Sequence, residues 1–512
     1  MHTGPSQPRL LIANRGEIAC RIIRGARDEG WHTISVYSEA DRTSPHVLLA
    51  DEAQFLGPAP ALQSYLDPAR ILEAATRSRA THLHPGYGFF SENADFAHTM
   101  MDAGLTWIGP TADAIESMGD KVSARLAAEK AGVPLVPGSP PLQSEAHAIQ
   151  MAERIGFPVL IKAAFGGGGK GMRLCHDARE LTQALGVTRG EAGRSFGNDT
   201  LFLERALLRA RHVEIQVLCD THGNGVYLGE RECSIQRRHQ KLVEETPCVA
   251  LTEDTRRAMG EAAVRLALGI GYVNAGTIEF LMDESGAYYF LEMNTRLQVE
   301  HPITEQVTGI DLVREQLRIA QGERLRFTQA DIVPVGASIE CRIIAEDPAA
   351  GFLPASGPIL WARLPEGPGV RNDVGFETGN EVSVHYDSMI GKLITTGRDR
   401  EDARIKMRRA LREYAIEGVR TNLPFLEWVI DHPEFIEGRT YTQFVDDHFR
   451  PEMLNQPALD EIAATIAAVV AHRDRSGSAP TAHSVSTGAM EIFHDRQAPR
   501  PSAWKARGWR HA

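Results

Sequence analysis

The sequence predicts an α/β (α+β) protein of several domains, and three observations predict it. The chain has 512 residues, enough for more than one core. Its start alternates strand, turn, helix and strand, the pattern of a parallel sheet. Its middle carries a hairpin whose strands are apolar on both faces, as in a buried sheet. Composition agrees, with 24% charged and 43% hydrophobic residues, as in an ordinary soluble protein. The net charge of -12 (55 Lys+Arg against 67 Asp+Glu) argues against nucleic acid and anionic membrane as partners. Cys20, Cys175, Cys219, Cys233, Cys248 and Cys341 form no CxxC pair and no zinc spacing. They read as reduced, mostly buried thiols of a cytoplasmic protein. No secretory signal and no bilayer-spanning apolar run is expected.

Residues 1–8 read as a disordered leader. Arg9–Ala13 reads as a short buried strand, Asn14–Glu17 as a turn, and Ile18–Glu29 as a helix with Ile18, Ile22 and Ala26 on one face. Thr33–Tyr37 is the second strand. His82–Gly88 has the form of a strand ending in a Gly/Pro loop, where ligands meet such sheets. The Pro/Gly-rich passage 132–141 marks a boundary. Phe157–Lys162 follows as a strand before the glycine run Gly166–Gly169, and Thr200–Glu204 and His212–Leu218 are further strands. Thr252–Gly269 reads as a helix. A β-rich segment begins near 335, with Ser338–Ile344, Val382–His385 and Lys392–Thr396, and the amphipathic helix Arg400–Tyr414 follows. Beyond 447 the character changes. Leu459, Ile462, Ile466 and Val469 fit one helical face. Arg475–Met490 is rich in Ser, Thr, Ala and Gly and is expected to be mobile. Trp504 and Trp509 near the end predict docking on something.

The hairpin carries the chemistry. Thr277–Met282 is one strand, Asp283–Gly286 the turn and Ala287–Asn294 the return. Pairing Asp283 with Tyr288 sets Glu279 opposite Glu292, with Asn294 on the same face as Glu292. Like charges opposite each other destabilise a pair of strands. Two carboxylates and an amide oxygen are, however, hard ligands for a magnesium ion that also holds phosphate. The repulsion therefore implies a missing cation. A solvated acidic hairpin is the alternative, and the apolar residues on both faces disfavour it. The glycine run lets backbone N–H groups cradle phosphate. It is no Walker A loop, because Gly171 follows Lys170, and by itself a flexible linker fits equally well. Lys162 tilts the balance, since it ends an apolar strand and must find an anion or stay wet. Lys121 is either a second phosphate ligand or an exposed helix-start lysine. Arg237–Lys241 is either a phosphate pocket or an ion-pair ladder with Glu244 and Glu245. His239 alone reads as structural.

These residues resemble the ATP-grasp enzymes, and among them the biotin carboxylase component of biotin-dependent carboxylases. The resemblance runs from Ile12–Ala19 to about residue 447. It includes His84–Asn93, Met118–Lys121, the glycine run, Arg211–Gln216, Gln236–Glu245, Glu292–Pro302, Glu340–Ile343 and His385–Met389. It implies an N-terminal domain over 9–120, an ATP-grasp domain over 121–334 with a mobile lid at about 135–206, a C-terminal domain over 335–447 and a tail over 448–512. It implies ATP, magnesium (or manganese) and biotin as cofactors and substrates. Lys121 and Lys162 would contact ATP phosphates, with Gly167 and Gly168 closing over them. Glu204 and Leu207 would hold adenine; His212, Gln236 and His239 would line the nucleotide site. Glu279, Glu292 and Asn294 would bind the metal. Lys241, Arg296, Gln298 and Val299 would hold bicarbonate, and Glu300 would be the base. Tyr87, Gly88 and Arg342 would meet biotin. Arg205 stands where many members carry Lys, and Thr246-Pro247-Cys248 replaces the usual Ala-Pro-Ala.

The implied activity is ATP- and bicarbonate-dependent carboxylation of biotin through carboxyphosphate, the first half-reaction of an acyl-CoA carboxylase. The chain has no Ala-Met-Lys-Met-type tetrapeptide; Gly488-Ala489-Met490-Glu491 lacks the lysine. A separate biotin carrier and a separate carboxyltransferase are therefore expected, and a homodimer is the family habit. Two rivals remain open at this point. Another ATP-grasp ligase, carbamoyl-phosphate-forming or purine-synthesising, shares the hairpin and the glycine run but does not need Tyr87, the Arg296–Glu300 loop and Arg342 together. A non-catalytic subunit keeping the fold expects lost ligands, yet every ligand position is filled.

Overall fold

Short apolar strands alternating with helices close the N-terminal region into a parallel sheet. In the computed structural model its strands are β1 (Arg9–Ile12), β2 (His32–Ser38), β3 (Glu52–Gly57), β4 (His82–His84) and β5 (Thr106–Trp107), in the order β3-β2-β1-β4-β5. The structure describes residues 7–163, 172–196 and 198–454, and beyond them Thr465, Ala468 and Val469. The glycine run with Gly167 and Gly168, most of the helical face expected at 459–469, and the Trp504–Arg510 end lie outside the described residues. β1 is central, with Leu10, Leu11 and Ile12 fully buried. Strand order reverses between β1 and β4, and the loops after these strands meet. Asn14 Nδ2 donates to Pro85 O and Tyr87 O, each at 2.7 Å. Gly86 has φ +65°, and a Cβ there would lie 2.8 Å from Asn14 Nδ2, so only glycine fits. Two residues of the expected leader, Gln7 and Pro8, are held by the fold. Gln7 donates to Gly30 O at 2.8 Å and Pro8 O accepts from His32 N at 2.9 Å, which joins both to the sheet.

A small antiparallel sheet follows, β7-β6-β8, from β6 (Val159–Ala163), β7 (Met172–Cys175) and β8 (Leu201–Arg205). Val159, Ile161, Leu181, Leu201 and Leu203 form its own core. The rest is organised by one eight-stranded antiparallel sheet. Its strands are β9 (Arg211–Cys219), β10 (Gly225–Arg237), β11 (Gln240–Thr246), β12 (Asn274–Met282), β13 (Tyr288–Asn294), β14 (Ala337–Ile344), Met389–Gly397 and Val370–Val374. They run in the order β13-β12-β9-β10-β11-β14, then Met389–Gly397 and Val370–Val374. The sheet passes straight through the boundary expected at 335, because β11 hydrogen-bonds to β14 in the register Val243↔Cys341.

Glu279 does face Glu292 in the β12–β13 register, but not for the reason the turn predicts. Met282, not Asp283, pairs with Tyr288, which alone would put the carboxylates out of register. Leu291 is an extra residue between the Phe280↔Phe290 and Glu279↔Glu292 pairs, and this bulge restores the facing. All six cysteines are buried and free. Among the described residues no helix is long and apolar enough to cross a membrane.

Candidate active site

Four neighbouring strands place one line of charge across the large sheet. Arg231 on β10 faces Glu214 on β9, Glu214 faces Glu279 on β12, and Glu279 faces Glu292 on β13. Residues opposite each other in antiparallel pairs share a face, so three carboxylates stand in a row beside one guanidinium. Arg231 is fully buried and fully used. It donates to Glu214 Oε1 at 2.5 Å, Gln216 Oε1 at 2.8 Å, Thr304 Oγ1 at 3.0 Å and Thr277 Oγ1 at 3.1 Å.

Lys241 enters from β11 and joins the row to the loop beyond β13. Its Nζ lies 2.5 Å from Glu214 Oε2, 2.7 Å from Glu279 Oε1 and 2.6 Å from Glu300 Oε1. The second Glu300 oxygen accepts from Arg342 Nη2 at 2.9 Å, and Arg342 Nε donates to Glu244 Oε1 at 2.6 Å. The repulsion read from the hairpin is thus relieved partly by the protein's own lysine. The ladder of Lys241 with Glu244 and Glu245 is not formed; Arg342 takes Glu244 and Arg400 takes Glu245.

Burial pushes the Glu300 carboxyl up, but Lys241, Arg342 and Arg231 outweigh it and hold the group well below the usual carboxylate range. Glu279 behaves alike: burial raises it, and Lys241 and His212, whose Nε2 lies 2.9 Å from Glu279 Oε2, bring it far down. Glu292 goes the other way. It is exposed, yet the protein bulk around it, and then the Glu279 charge, push its carboxyl up. A pair split in this direction is one that a shared divalent cation would stabilise.

The donor set fits such an ion. Glu279 and Glu292 supply hard oxygens on one face. Asn294 shares that face, but its Nδ2 donates to Glu279 Oε1 at 2.8 Å and its Oδ1 accepts from Arg296 Nη2 at 3.0 Å. It joins a metal only after this amide turns over. Glu214, with ligand atoms grouped alongside those of His212 and Glu279, is already committed to Arg231 and Lys241.

The loop after β13 converges on the same carboxylate. Arg296 reaches Gln298 Oε1 at 3.2 Å, and Gln298 Nε2 reaches Glu279 Oε1 at 3.3 Å. Arg296 Nε is held by Glu92 Oε2 at 2.9 Å. Gln236 lies buried on β10. His239 stands apart, exposed in the hairpin turn where both it and Arg238 have positive φ. Lys162 finds the anion its strand position demands in Glu204, which also pairs with Arg125. Leu207 is half-buried nearby in sequence. Lys121 opens the helix Lys121–Lys130 and is exposed. Tyr87 is half-buried, its hydroxyl buried and without a hydrogen-bond partner among the described residues, and Gly88 is exposed at φ +68°.

The geometry therefore brings Lys241, Glu279, Glu300, Arg342, Asn294, Gln298 and His212 together, with Glu292 facing Glu279 across the hairpin. Sequence reasoning assigned no role to Glu92, Glu214 or Arg231, and gave Glu244 only a ladder with the basic run Arg237–Lys241. Glu214 had a signal: His212, Glu214 and Gln216 are polar every second residue in an otherwise apolar strand. Arg231 had none, because its partners lie on other strands, and the partner of Glu244, Arg342, was missed for the same reason.

Known proteins resemble this chain over most of its length. Residues 6–115 match the N-terminal domain of biotin carboxylase, 120–328 the ATP-binding domain of carbamoyl-phosphate synthase L chain, and 340–447 the biotin carboxylase C-terminal domain. A biotin carboxylase of Nostoc sp. is 51% identical over 440 residues, 86% of this chain and 98% of that one. The chain belongs to the biotin carboxylase family. The alpha chain of propionyl-CoA carboxylase from Ruegeria pomeroyi is 48% identical over 488 residues, and the match spans 91% of this chain and 72% of that longer relative. Among solved structures, the biotin carboxylase domain dimer of Hydrogenobacter thermophilus 2-oxoglutarate carboxylase, in complex with MgADP, ADP and bicarbonate, superposes with TM-score 0.82. It is 45% identical and covers 88% of this chain and 98% of that one. The family has the three-domain α/β architecture described above.

Proposed function

We propose that this chain carboxylates biotin at the expense of ATP and bicarbonate, with the Lys241 cluster as its centre. It is an ATP-dependent ligase by family. The observation that carries the assignment of residues is Lys241 Nζ, which touches Glu279 on the nucleotide side and Glu300 on the side of Arg342.

Glu300 is the base. A carboxylate held far below its usual range is a weak base, so it must be released before it acts. Bicarbonate draws Lys241 and Arg296 toward its own charge, and biotin draws Arg342. Each departure raises the proton affinity of Glu300, which then takes the bicarbonate proton. The new oxyanion attacks the γ-phosphorus of ATP, the bond to the β-γ bridging oxygen breaks, and ADP leaves as carboxyphosphate forms. Lys162, Lys241 and Arg296 neutralise the spreading phosphoryl charge. Lys121 lies on the same side; it is exposed, yet the protein bulk around it lowers the ammonium's proton affinity while the Glu292 charge opposes this. Glu279 and Glu292 would hold a magnesium ion, which would supply further charge neutralisation on the phosphates. Carboxyphosphate releases CO2, and its phosphate takes the ureido proton of biotin. Arg342 then stabilises the biotin enolate that attacks CO2, with Tyr87 and Gly88 beside it. Glu204, Leu207, His212, Gln236 and His239 belong to the nucleotide side.

Biotin reaches this site on a separate carrier, and a carboxyltransferase takes it up afterwards. The protein works as a homodimer in the cytoplasm. Pull-down of the neighbouring subunit with an acyl-CoA assay identifies the acceptor.

The test is Glu300→Gln. Binding of ATP should persist, and bicarbonate-dependent ATP cleavage should fall by about two to four orders of magnitude, the usual contribution of a general base. Unchanged turnover removes Glu300 from that role. Cleavage by the wild type that does not rise with biotin removes the biotin assignment.

A further inference from the structure

Two buried side chains act on the Arg296–Glu300 loop without belonging to the charge row. Lys392, on the strand Met389–Gly397, is fully buried, and its Nζ donates to Val299 O at 2.8 Å. His301, the first residue of the helix His301–Thr308, is fully buried too, and its Nδ1 lies 2.8 Å from Gln298 O. A carbonyl oxygen only accepts, so Nδ1 carries the proton. Burial, together with Lys392, Arg21 and Arg371, holds this imidazole well below its ordinary range, which leaves it neutral with that single proton.

Two consecutive carbonyls of the loop are thereby held from the buried side. The peptide bonds that follow Gln298 and Val299 are trans, since the cis bonds lie elsewhere, before Pro158 and Pro247. In a trans peptide the N–H points away from the C=O. Fixing the two carbonyls inward turns the N–H groups of Val299 and Glu300 outward. Neither donates a hydrogen bond among the described residues. Adjacent free N–H groups make a small concave site for an anion.

Lys392 is itself held from the N-terminal region. Glu17, in the first turn of the helix Gly16–Asp28, brings Oε2 to 3.2 Å from Lys392 Nζ, near enough for charge though not aligned for a hydrogen bond. The first helix of the N-terminal region thus places a carboxylate beside the lysine that holds the loop. A lysine kept merely to neutralise Glu17 would need no carbonyl at 2.8 Å on the one loop that also carries Arg296, Gln298 and Glu300.

We propose, building on the function argued above, that Lys392 and His301 are positioning residues for bicarbonate, holding the Gln298 and Val299 carbonyls so that the Val299 N–H faces the anion. The test uses the full chain at about pH 8, where Glu17 is ionised. Initial rates of ATP cleavage are measured with bicarbonate varied at saturating MgATP, and then the reverse. Lys392→Met and His301→Phe should raise the bicarbonate KM by about tenfold or more, with the ATP KM within about twofold. Lys392→Arg and His301→Asn each keep a donor and should recover most of that loss. Bicarbonate and ATP constants that worsen together, or Arg and Asn variants no better than Met and Phe, overturn the inference. Should Lys392→Met fail to fold, Glu17→Gln decides: it keeps its shape, and a bicarbonate KM about threefold higher with an unchanged ATP KM supports the inference, whereas an unchanged bicarbonate KM overturns it. Wild-type protein without bicarbonate-dependent turnover overturns the proposed function itself, and this inference with it.

Discussion

The central strands of the five-stranded and the eight-stranded sheets are both buried, and they fill their faces in opposite ways. In β1, Leu10, Leu11 and Ile12 point to both sides and all are fully buried. In β9 every residue is buried as well, yet Val213, Ile215 and Val217 alternate with His212, Glu214 and Gln216. The first sheet is held by apolar surface removed from water on both faces. The second gives one face to charge and keeps most of it there by pairing: Arg231 with Glu214, Lys241 with Glu214, Glu279 and Glu300, Arg342 with Glu300 and Glu244, while Glu292 and Glu340 form no ion pair among the described residues. Buried ion pairs are poor sources of stability compared with apolar packing. A layer of this kind is explained by what it does with anions.

Breaking the charged layer should have the largest effect. Lys241→Met leaves Glu214, Glu279 and Glu300 facing one another. Removing one partner of a buried pair costs about 3–5 kcal/mol, so both thermal stability and ATP turnover should fall sharply. Calorimetry and a cleavage assay check this. A stable, active Lys241→Met protein would show that the cluster is not held by that lysine.

Breaking the apolar layer should separate stability from chemistry. Leu11→Ala in β1 should cost about 2–5 kcal/mol through lost burial and a residual cavity. At temperatures where the variant remains folded, its KM values for ATP and bicarbonate should match those of the wild type. Altered KM values would mean that the parallel sheet does more than hold the loops after β1 and β4.

Where the two layers touch, at Glu17, the effect should be smaller and depend on pH. Burial pushes the Glu17 carboxyl up to about 7, with Lys392 opposing it. An unfolded glutamate titrates near about 4.3. Between these values the folded state binds the proton more tightly, so stability is greatest at the acid end and declines as pH rises through about 7. Glu17→Gln cannot lose a proton and should lack that decline, a difference on the order of 3 kcal/mol across the window. Thermal unfolding at a series of pH values reads it. Parallel curves for the two proteins would place the Glu17 titration outside this range.

The sequence made the parallel sheet legible because alternation of strand and helix is local. The loops Asn14–Gly16 and Pro85–Gly88 were likewise marked by their own glycines and proline. The facing of Glu279 and Glu292 was reached through a wrong pairing at the turn; a bulge at Leu291 leaves no trace in composition, since leucine is an ordinary strand residue. Arg231, Lys392 and the partner of Glu244 were illegible for a different reason. Each matters through a partner on another strand or loop, and single-chain periodicity says which face a residue takes but not which strand lies beside it. Glu92 stood inside a recognised motif without a role until its contact with Arg296 gave it one.

The comparison is sharpened last by a pair that belongs to neither layer. Arg257 Nη2 lies 2.6 Å from Asp254 Oδ1 on the helix Glu253–Gly269, three residues apart and well exposed. The distance is as short as that between Lys241 and Glu300. Water nevertheless screens the exposed pair and hydrates both groups once it opens, so Arg257→Ala should change stability by no more than about 0.5 kcal/mol. Added salt should shrink even that. Thermal unfolding of the variant at low and high ionic strength measures it. A loss rivalling that of Lys241→Met would mean that contact distance rather than burial sets the strength of these pairs, and the contrast between the two sheets would then need another cause.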